Sequence, residues 1–202
     1  MISKATYCFL YIVCRIGLFF YHPFFRVVGR EHVLKEGRLV ICANHSGLAD
    51  PIWVIFGLRL GRMPRIMAKK EAMQVPILGP FLKAIGIFGV DRSGADVSAV
   101  KTGLKCLRDE QALLVFPEGT RVRPGKIVEP KRGALMLATR TDSPVLPVYL
   151  STKRFPFGPM RCVIGESYRP EFAGAKPTDE EMDAAMQDLM ARIYRLGEQP
   201  CK

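Results

Sequence analysis

The chain opens on an apolar stretch. From Ala5 to Tyr21 nearly every position is hydrophobic, Arg15 is the one charge, and no acidic residue occurs before Glu31. Aromatic side chains crowd this end: Tyr7, Phe9, Tyr11, Phe19, Phe20, Tyr21, Phe24 and Phe25. Three readings compete. A cleaved secretion signal needs small residues at its end, and Tyr21-His22-Pro23-Phe24-Phe25 is the wrong chemistry. A spanning helix needs about 20 apolar residues and would hold Arg15 inside the bilayer at about 2.5–3.5 kcal/mol. A helix lying in a lipid surface fits better. Wound at about 100° per residue, Lys4, Tyr11, Arg15 and His22 fall within roughly 40° of one another, a narrow polar stripe on an aromatic-rich helix. The same stripe would face water if the helix packed on the protein's own core. Residues 1–23 are expected to form a membrane-associating helix and residues 24–202 one domain.

Beyond this helix, short apolar runs alternate with helical patterns. Arg26–Gly29, Leu39–Ala43, Arg65–Ala68, Ile87–Val90, Ala112–Phe116, Val145–Leu150 and Cys162–Gly165 read as strands. Helices are expected over Pro51–Leu60, over Ile77–Ile85 with an interruption at Gly79-Pro80, and over Ala95–Arg108 and Gly133–Arg140. A final helix is announced by Thr178 and Glu181 at capping-box spacing. It carries an apolar stripe of Met182, Ala185, Met186, Leu189, Met190, Ile193 and Leu196, a core-packing face. Strands alternating with helices predict an α/β layer fold, in which sites gather at loops beyond strand ends.

Composition adds two constraints. The 202 residues are 49% hydrophobic and 24% charged, which suits a globular domain with a real core. A formal net charge of +11 points to an anionic partner (nucleic acid, an acidic membrane, a phosphorylated substrate or an acidic carrier protein) or to a basic surface kept for solubility. Nucleic acid is disfavoured, because basic and aromatic residues are not interleaved outside the N-terminus and no recognition motif is present. The cysteines are scattered without a Cys-x-x-Cys pair, which fits free thiols in a reducing compartment better than zinc or redox chemistry.

Two polar clusters each follow a predicted strand. After Leu39–Ala43 comes Asn44-His45-Ser46-Gly47-Leu48-Ala49-Asp50-Pro51. On a continuous helix His45 and Asp50 would point about 140° apart; in a turn through Gly47 they can meet. A carboxylate on one imidazole nitrogen fixes the tautomer and frees the other as a base. Asp50-Pro51 also reads as a helix N-cap followed by proline at the first helical position. After Ala112–Phe116 comes Phe116-Pro117-Glu118-Gly119-Thr120-Arg121, with Arg123, Lys126, Lys131 and Arg132 close behind. Gly119 permits close backbone approach to a ligand, and Arg121 can grip a phosphate bidentately. Taken singly, each cluster is also compatible with a hydrogen-bonded loop or a solvated basic loop. The phosphate loop of nucleotide hydrolases, the serine nucleophile elbow and the dinucleotide fingerprint are all missing.

In this order and spacing the clusters resemble the 1-acyl-glycerol-3-phosphate acyltransferases, the bacterial lysophosphatidate group within the glycerolipid acyltransferase superfamily. His45-x4-Asp50 matches the first block, Gly89-Val90-Asp91-Arg92 the second, Phe116 to Arg121 the third and Val145-Leu146-Pro147-Val148 the fourth. Lys69-Lys70-Glu71 and Lys131-Arg132-Gly133-Ala134 are similar to its linking segments, and the resemblance runs from about Phe24 to Arg169. It implies a single α/β domain with a central mixed sheet flanked by helices, His45 as base and Asp50 as its orienting partner. It implies Arg92, Glu118, Gly119, Thr120 and Arg121 around the glycerol phosphate, with Lys69 and Lys131 as further cations. It implies no metal and no cofactor beyond the acyl thioester itself, carried on coenzyme A or acyl-carrier protein. The implied acceptor is lysophosphatidate at its sn-2 hydroxyl, and the implied place is the cytoplasmic face of the cell membrane, monotopic or peripheral on an anionic surface. Other acceptors (glycerol 3-phosphate, another lysophospholipid, an amino-acid lipid) and a non-catalytic lipid-binding role on the same fold stay open at this point.

Overall fold

The computed structural model describes residues 4–58, 62–76, 82, 87–90, 97–123, 126, 128–152, 155, 157–174 and 176–198. Helix α1 spans Lys4–Tyr21 and leads into strand β1, Phe25–Val28. There follow β2 (Leu39–Ala43), α2 (Asp50–Gly57), β3 (Arg65–Lys69), β4 (Ile87–Val90) and α3 (Val97–Arg108). The remainder is β5 (Ala112–Val115), α4 (Gly133–Thr141), β6 (Val145–Leu150), β7 (Met160–Ile164) and α5 (Asp179–Glu198). One-turn helices occupy Arg30–His32 and Lys70–Gln74. The helix expected over Ile77–Ile85 lies, apart from Leu82, outside the described residues.

Among the described residues seven strands join one sheet, in the order β1-β7-β6-β2-β5-β3-β4. Every pairing is parallel except β6 with β7, so β1 and β7 run against the other five. This is the mixed sheet flanked by helices that the resemblance implies. β2 is the central strand and all five of its residues are buried, as a continuous apolar run in a sheet covered on both faces requires. Its pleat divides the core. Leu39, Ile41 and Ala43 point into one layer with Trp53, Val54 and Phe56 of α2. Val40 and Cys42 point into the other, with α3 (Cys106, Leu107), α4 (Ala134, Leu135, Leu137) and the stripe of α5 (Met182, Met186, Leu189, Met190, Ile193). Buried Cys42, Cys106 and Cys162 behave as small apolar side chains, and burial pushes the thiols of Cys106 and Cys162 up to about 11 and about 12.

The chain leaves β2 through α2 on one face and leaves its neighbour β5 through α4 on the other. Two connections diverging from adjacent parallel strands open a crevice at their carboxyl ends. Both polar clusters stand there.

Local rules hold where the structure is local. The capping box forms as read: the Thr178 N–H donates to Glu181 Oε2 at 2.8 Å, and the Glu181 N–H to Thr178 Oγ1 at 3.2 Å. The C-terminal carbonyls of α2 are met by Arg30, whose guanidinium donates to Phe56 O at 2.9 Å and Gly57 O at 3.1 Å.

The N-terminal helix packs three of its polar residues on the domain and leaves apolar ones exposed. Of the stripe, Tyr11 and Arg15 are half-buried and His22 is buried. Tyr11 meets Phe56 edge-on at 4.9 Å, and the Arg15 guanidinium lies over the rings of Phe25 and Phe56 at 5.4 and 5.5 Å. His22 is buried beside Trp53, its Nδ1–H donating to Gly158 O at 3.1 Å. Cation–π and edge-to-face contacts with the aromatic rings of α2 and β1 bind Tyr11, Arg15 and His22 to the domain. The apolar positions Phe9, Ile12, Val13, Ile16, Phe19 and Phe20 are left exposed.

Candidate active site

Three adjacent strands, β5, β2 and β6, present the site. Just past β2, Asn44 is 1% exposed and binds across to the end of β6: its Nδ2 donates to Leu150 O at 2.9 Å, and the Leu150 N–H donates to Asn44 Oδ1 at 2.7 Å. An amide side chain thereby replaces two ladder bonds as the strands part. His45, next in the chain, is sewn to the loop after β5. Its N–H donates to Glu118 Oε2 at 2.6 Å, and its carbonyl accepts from the Val122 N–H at 2.7 Å.

The imidazole is held on two sides. Its Nδ1–H donates to Asp50 Oδ2 at 2.9 Å, and the ring of Phe116 stacks on it with centroids 4.3 Å apart and planes 25° from parallel. Asp50 has no exposed surface, while the His45 side chain is 13% exposed. The Ser46 and Gly47 N–H groups donate to the same Asp50 oxygen at 2.7 and 2.8 Å. Charge-assisted bonds of this kind offset the cost of burying a carboxylate. Asp50 occupies the first turn of α2, and Ala49, one residue earlier than the sequence suggested, takes the cap position. The carboxylate reaches back onto the loop, which closes the turn through Gly47 and brings His45 and Asp50 together. With Nδ1 committed, Nε2 carries the lone pair a general base needs.

The second cluster forms the opposite wall. Gly119 has φ +66°, left-handed backbone that favours glycine, and a Cβ there would stand 3.3 Å from the Lys131 side chain. The Lys131 N–H closes this loop onto Pro117 O at 2.7 Å. Thr120 and Arg121 line an open cavity of about 320 Å³ together with Ser46, Val122 and Arg123. Arg121, Arg123 and Lys131 are exposed, a concentration of cations beside the His45 loop that favours an anionic ligand.

Glu118 is 3% exposed, and both of its oxygens serve the protein: Oε2 takes the His45 N–H, and Oε1 accepts the Tyr194 O–H at 2.6 Å. Burial raises its carboxyl above the ordinary 4.5, opposed by the bonds from Tyr194 and His45. Of the residues singled out from sequence, the fold gathers His45, Asp50, Glu118, Gly119, Thr120, Arg121 and Lys131 around one crevice. Arg92 lies outside the described residues. Lys69 ends β3, two strands from β2, and its side chain is not described. Sequence reasoning passed over Asn44, Phe116 as a stacking partner, and Tyr194. The first two adjoin the clusters and could have been flagged by position. Tyr194 lies off the core stripe of its helix, and nothing local marks it.

Comparison with known proteins identifies the family. The family described as Acyltransferase matches residues 24–151. The chain belongs to the acyltransferase family. It is 32% identical over 176 residues to the 1-acyl-sn-glycerol-3-phosphate acyltransferase of Bacillus subtilis (strain 168), a match covering 85% of this chain and 87% of that protein. The enzyme of the same name from Borreliella burgdorferi is 30% identical over 130 residues, 61% of this chain and 50% of that protein, so the chain matches about half of that relative's length. The crystal structure of the 1-acyl-sn-glycerophosphate (LPA) acyltransferase PlsC from Thermotoga maritima superposes with a TM-score of 0.66 at 26% identity, covering 88% of this chain and 74% of that one.

The raised carboxyl of Glu118 sets a pH dependence. A group that binds its proton more tightly when folded adds stability that is complete below its unfolded pKa and is lost as pH rises through the folded value. Wild-type stability relative to Glu118→Gln is therefore expected to be lower at about pH 7 than at about pH 4, as read from urea midpoints at each pH.

Proposed function

We propose that this chain transfers a fatty acyl group from an acyl thioester to the sn-2 hydroxyl of 1-acylglycerol 3-phosphate, forming phosphatidate. The observation that carries this reading is the 2.9 Å bond from His45 Nδ1 to a fully buried Asp50, in an acyltransferase-family chain whose neighbouring cavity is lined by Arg121. The names of its relatives supply the acceptor.

The mechanism follows from the atoms. His45 Nε2 takes the proton of the acceptor hydroxyl as its oxygen attacks the thioester carbonyl, so that a C–O bond forms. Collapse of the tetrahedral adduct breaks the C–S bond, and the thiolate leaves with the proton that the imidazolium returns. Asp50 keeps Nδ1–H pointed inward and steadies the imidazolium while it exists. No acyl-enzyme intermediate is required. Arg121 grips the acceptor phosphate, Thr120 and the Gly119 main chain approach it, and Lys131 adds positive potential, with Arg92 and Lys69 assigned to the same task. The donor thioester, on coenzyme A or acyl-carrier protein, is a co-substrate, and no other group takes part.

Purified protein assayed with both donors against lysophosphatidate tests this. His45→Ala is expected to lose about 10²-fold or more in turnover while staying folded, and unchanged turnover would remove it from the chemistry. Arg121→Ala is expected to raise KM for lysophosphatidate by about tenfold, a lost charge-assisted bond, with little change for the donor. Equal weakening of both would count against a phosphate role.

The same reading places the reaction at an anionic membrane surface on the cytoplasmic side. No helix among the described residues is long and apolar enough to cross a membrane. The outward face of α1 is aromatic and aliphatic, and its C-terminal end adjoins exposed Phe24, Phe155 and Phe157, the turn before Gly158 being tied to His22. An apolar face of this kind, on a chain of net charge +11, suits a helix lying in an acidic leaflet. Replacing Phe19 and Phe20 together with serine is expected to cut binding to phosphatidylglycerol-containing vesicles by about tenfold or more in a sedimentation assay. Undiminished binding would detach α1 from the membrane.

A further inference from the structure

The C-terminal helix lies far along the chain from the polar clusters, yet one of its side chains enters the site. Tyr194 and Glu118 are 76 positions apart, and the phenol donates to Glu118 Oε1 at 2.6 Å. The other oxygen of that carboxylate holds the His45 N–H, also at 2.6 Å. A single buried carboxylate thus connects α5 to the main chain of the proposed base. We propose that Tyr194 is a positioning residue for acyl transfer: acting through Glu118, it sets where the His45 main chain, and with it the imidazole, stands at the carboxyl end of β2. The proposal rests on the reading of His45 as the base.

The surroundings of Tyr194 suit that task. Its ring meets Tyr149 of β6 with centroids 6.4 Å apart and planes 64° from parallel. The Tyr149 ring in turn fills the space above Gly197, where an added Cβ would lie 2.5 Å from it. A tyrosine braced by a second ring, on a helix whose stripe is buried in the core, offers its O–H from a defined position. The other end of α5 is tied to the same connecting segment, since Arg132 binds Asp179 at 2.7 Å and also pairs with Asp183. The segment between β5 and α4 is therefore attached to α5 at two points, one of which leads directly to His45. Glu118 is the vulnerable link. Burial favours its protonated form, and the Tyr194 bond is the foremost of the effects opposing this. Without the phenol the carboxyl holds its proton to higher pH, and a neutral carboxyl is the weaker acceptor for the His45 N–H.

Tyr194→Phe removes the O–H and keeps the ring. The expected result is a folded enzyme with kcat lower by about tenfold, KM for both substrates within about twofold, and the acidic limb of the kcat profile moved to higher pH. A double-mutant cycle with Glu118→Gln should show that the second substitution adds no further loss. Wild-type kcat and pH profile in Tyr194→Phe, or losses that multiply in the double variant, would overturn the proposal. Should phenylalanine impair folding, a ring-fluorinated tyrosine at 194, a more acidic donor of the same shape, should move the acidic limb to lower pH; an unmoved limb overturns the proposal equally. The amide proton resonance of His45 gives a reading independent of the chemistry. It should move upfield in Tyr194→Phe as its bond to Glu118 weakens, and a fixed resonance counts against the coupling even if His45→Ala shows that the base lies elsewhere.

Discussion

The carboxylate of Asp50 organises the carboxyl end of the sheet. It has no contact with solvent, so its charge must be met within the protein, and donors of the preceding loop do so: Ser46, Gly47 and the imidazole of His45 bind it. The loop reaches it by curling back over the start of α2. That curl turns residues five apart in sequence into hydrogen-bonded neighbours and leaves the second imidazole nitrogen free. Structure and chemistry share one constraint here, because the requirement that buries the charge also defines the tautomer.

A loop of this kind needs outside support, and each neighbouring strand supplies some. Asn44 fastens it to β6, while Glu118 and Val122 fasten it to the segment after β5. Phe116 stacks on the imidazole. The parting of the chain toward opposite faces after β2 and β5 opens the crevice, and these tethers keep it from collapsing or drifting. The cations lie at its mouth, where water and ligand can both reach them. The two carboxylates lie deeper, where each is spent on main-chain N–H groups and a ring or phenol.

The N-terminal helix follows a different logic. Arg15, Tyr11 and His22 have a better use than hydration, because aromatic rings of α2 and β1 receive the first two while a backbone carbonyl receives His22. Turning those groups inward leaves an apolar face outward. For a protein in water that arrangement exposes hydrophobic surface; for one seated on lipid it buries it. The proposed membrane role thus rests on which face of the helix is exposed rather than on its mere hydrophobicity.

Much of this is legible in the amino-acid sequence. The apolar runs of β2, β5 and β6, the Thr178–Glu181 capping box, the core stripe of α5 and the pairing of His45 with Asp50 through a glycine turn all depend on residues within a few positions of each other. Local periodicity and turn chemistry suffice for such features. The facing of α1, the bonds of Asn44 across 106 positions to Leu150 and the reach of Tyr194 across 76 positions to Glu118 could not be read this way. They depend on which strands become neighbours, and the same apolar strands are compatible with many orders in a sheet. Only the packed fold chooses among those orders, because only there does each buried polar group find, or fail to find, a partner.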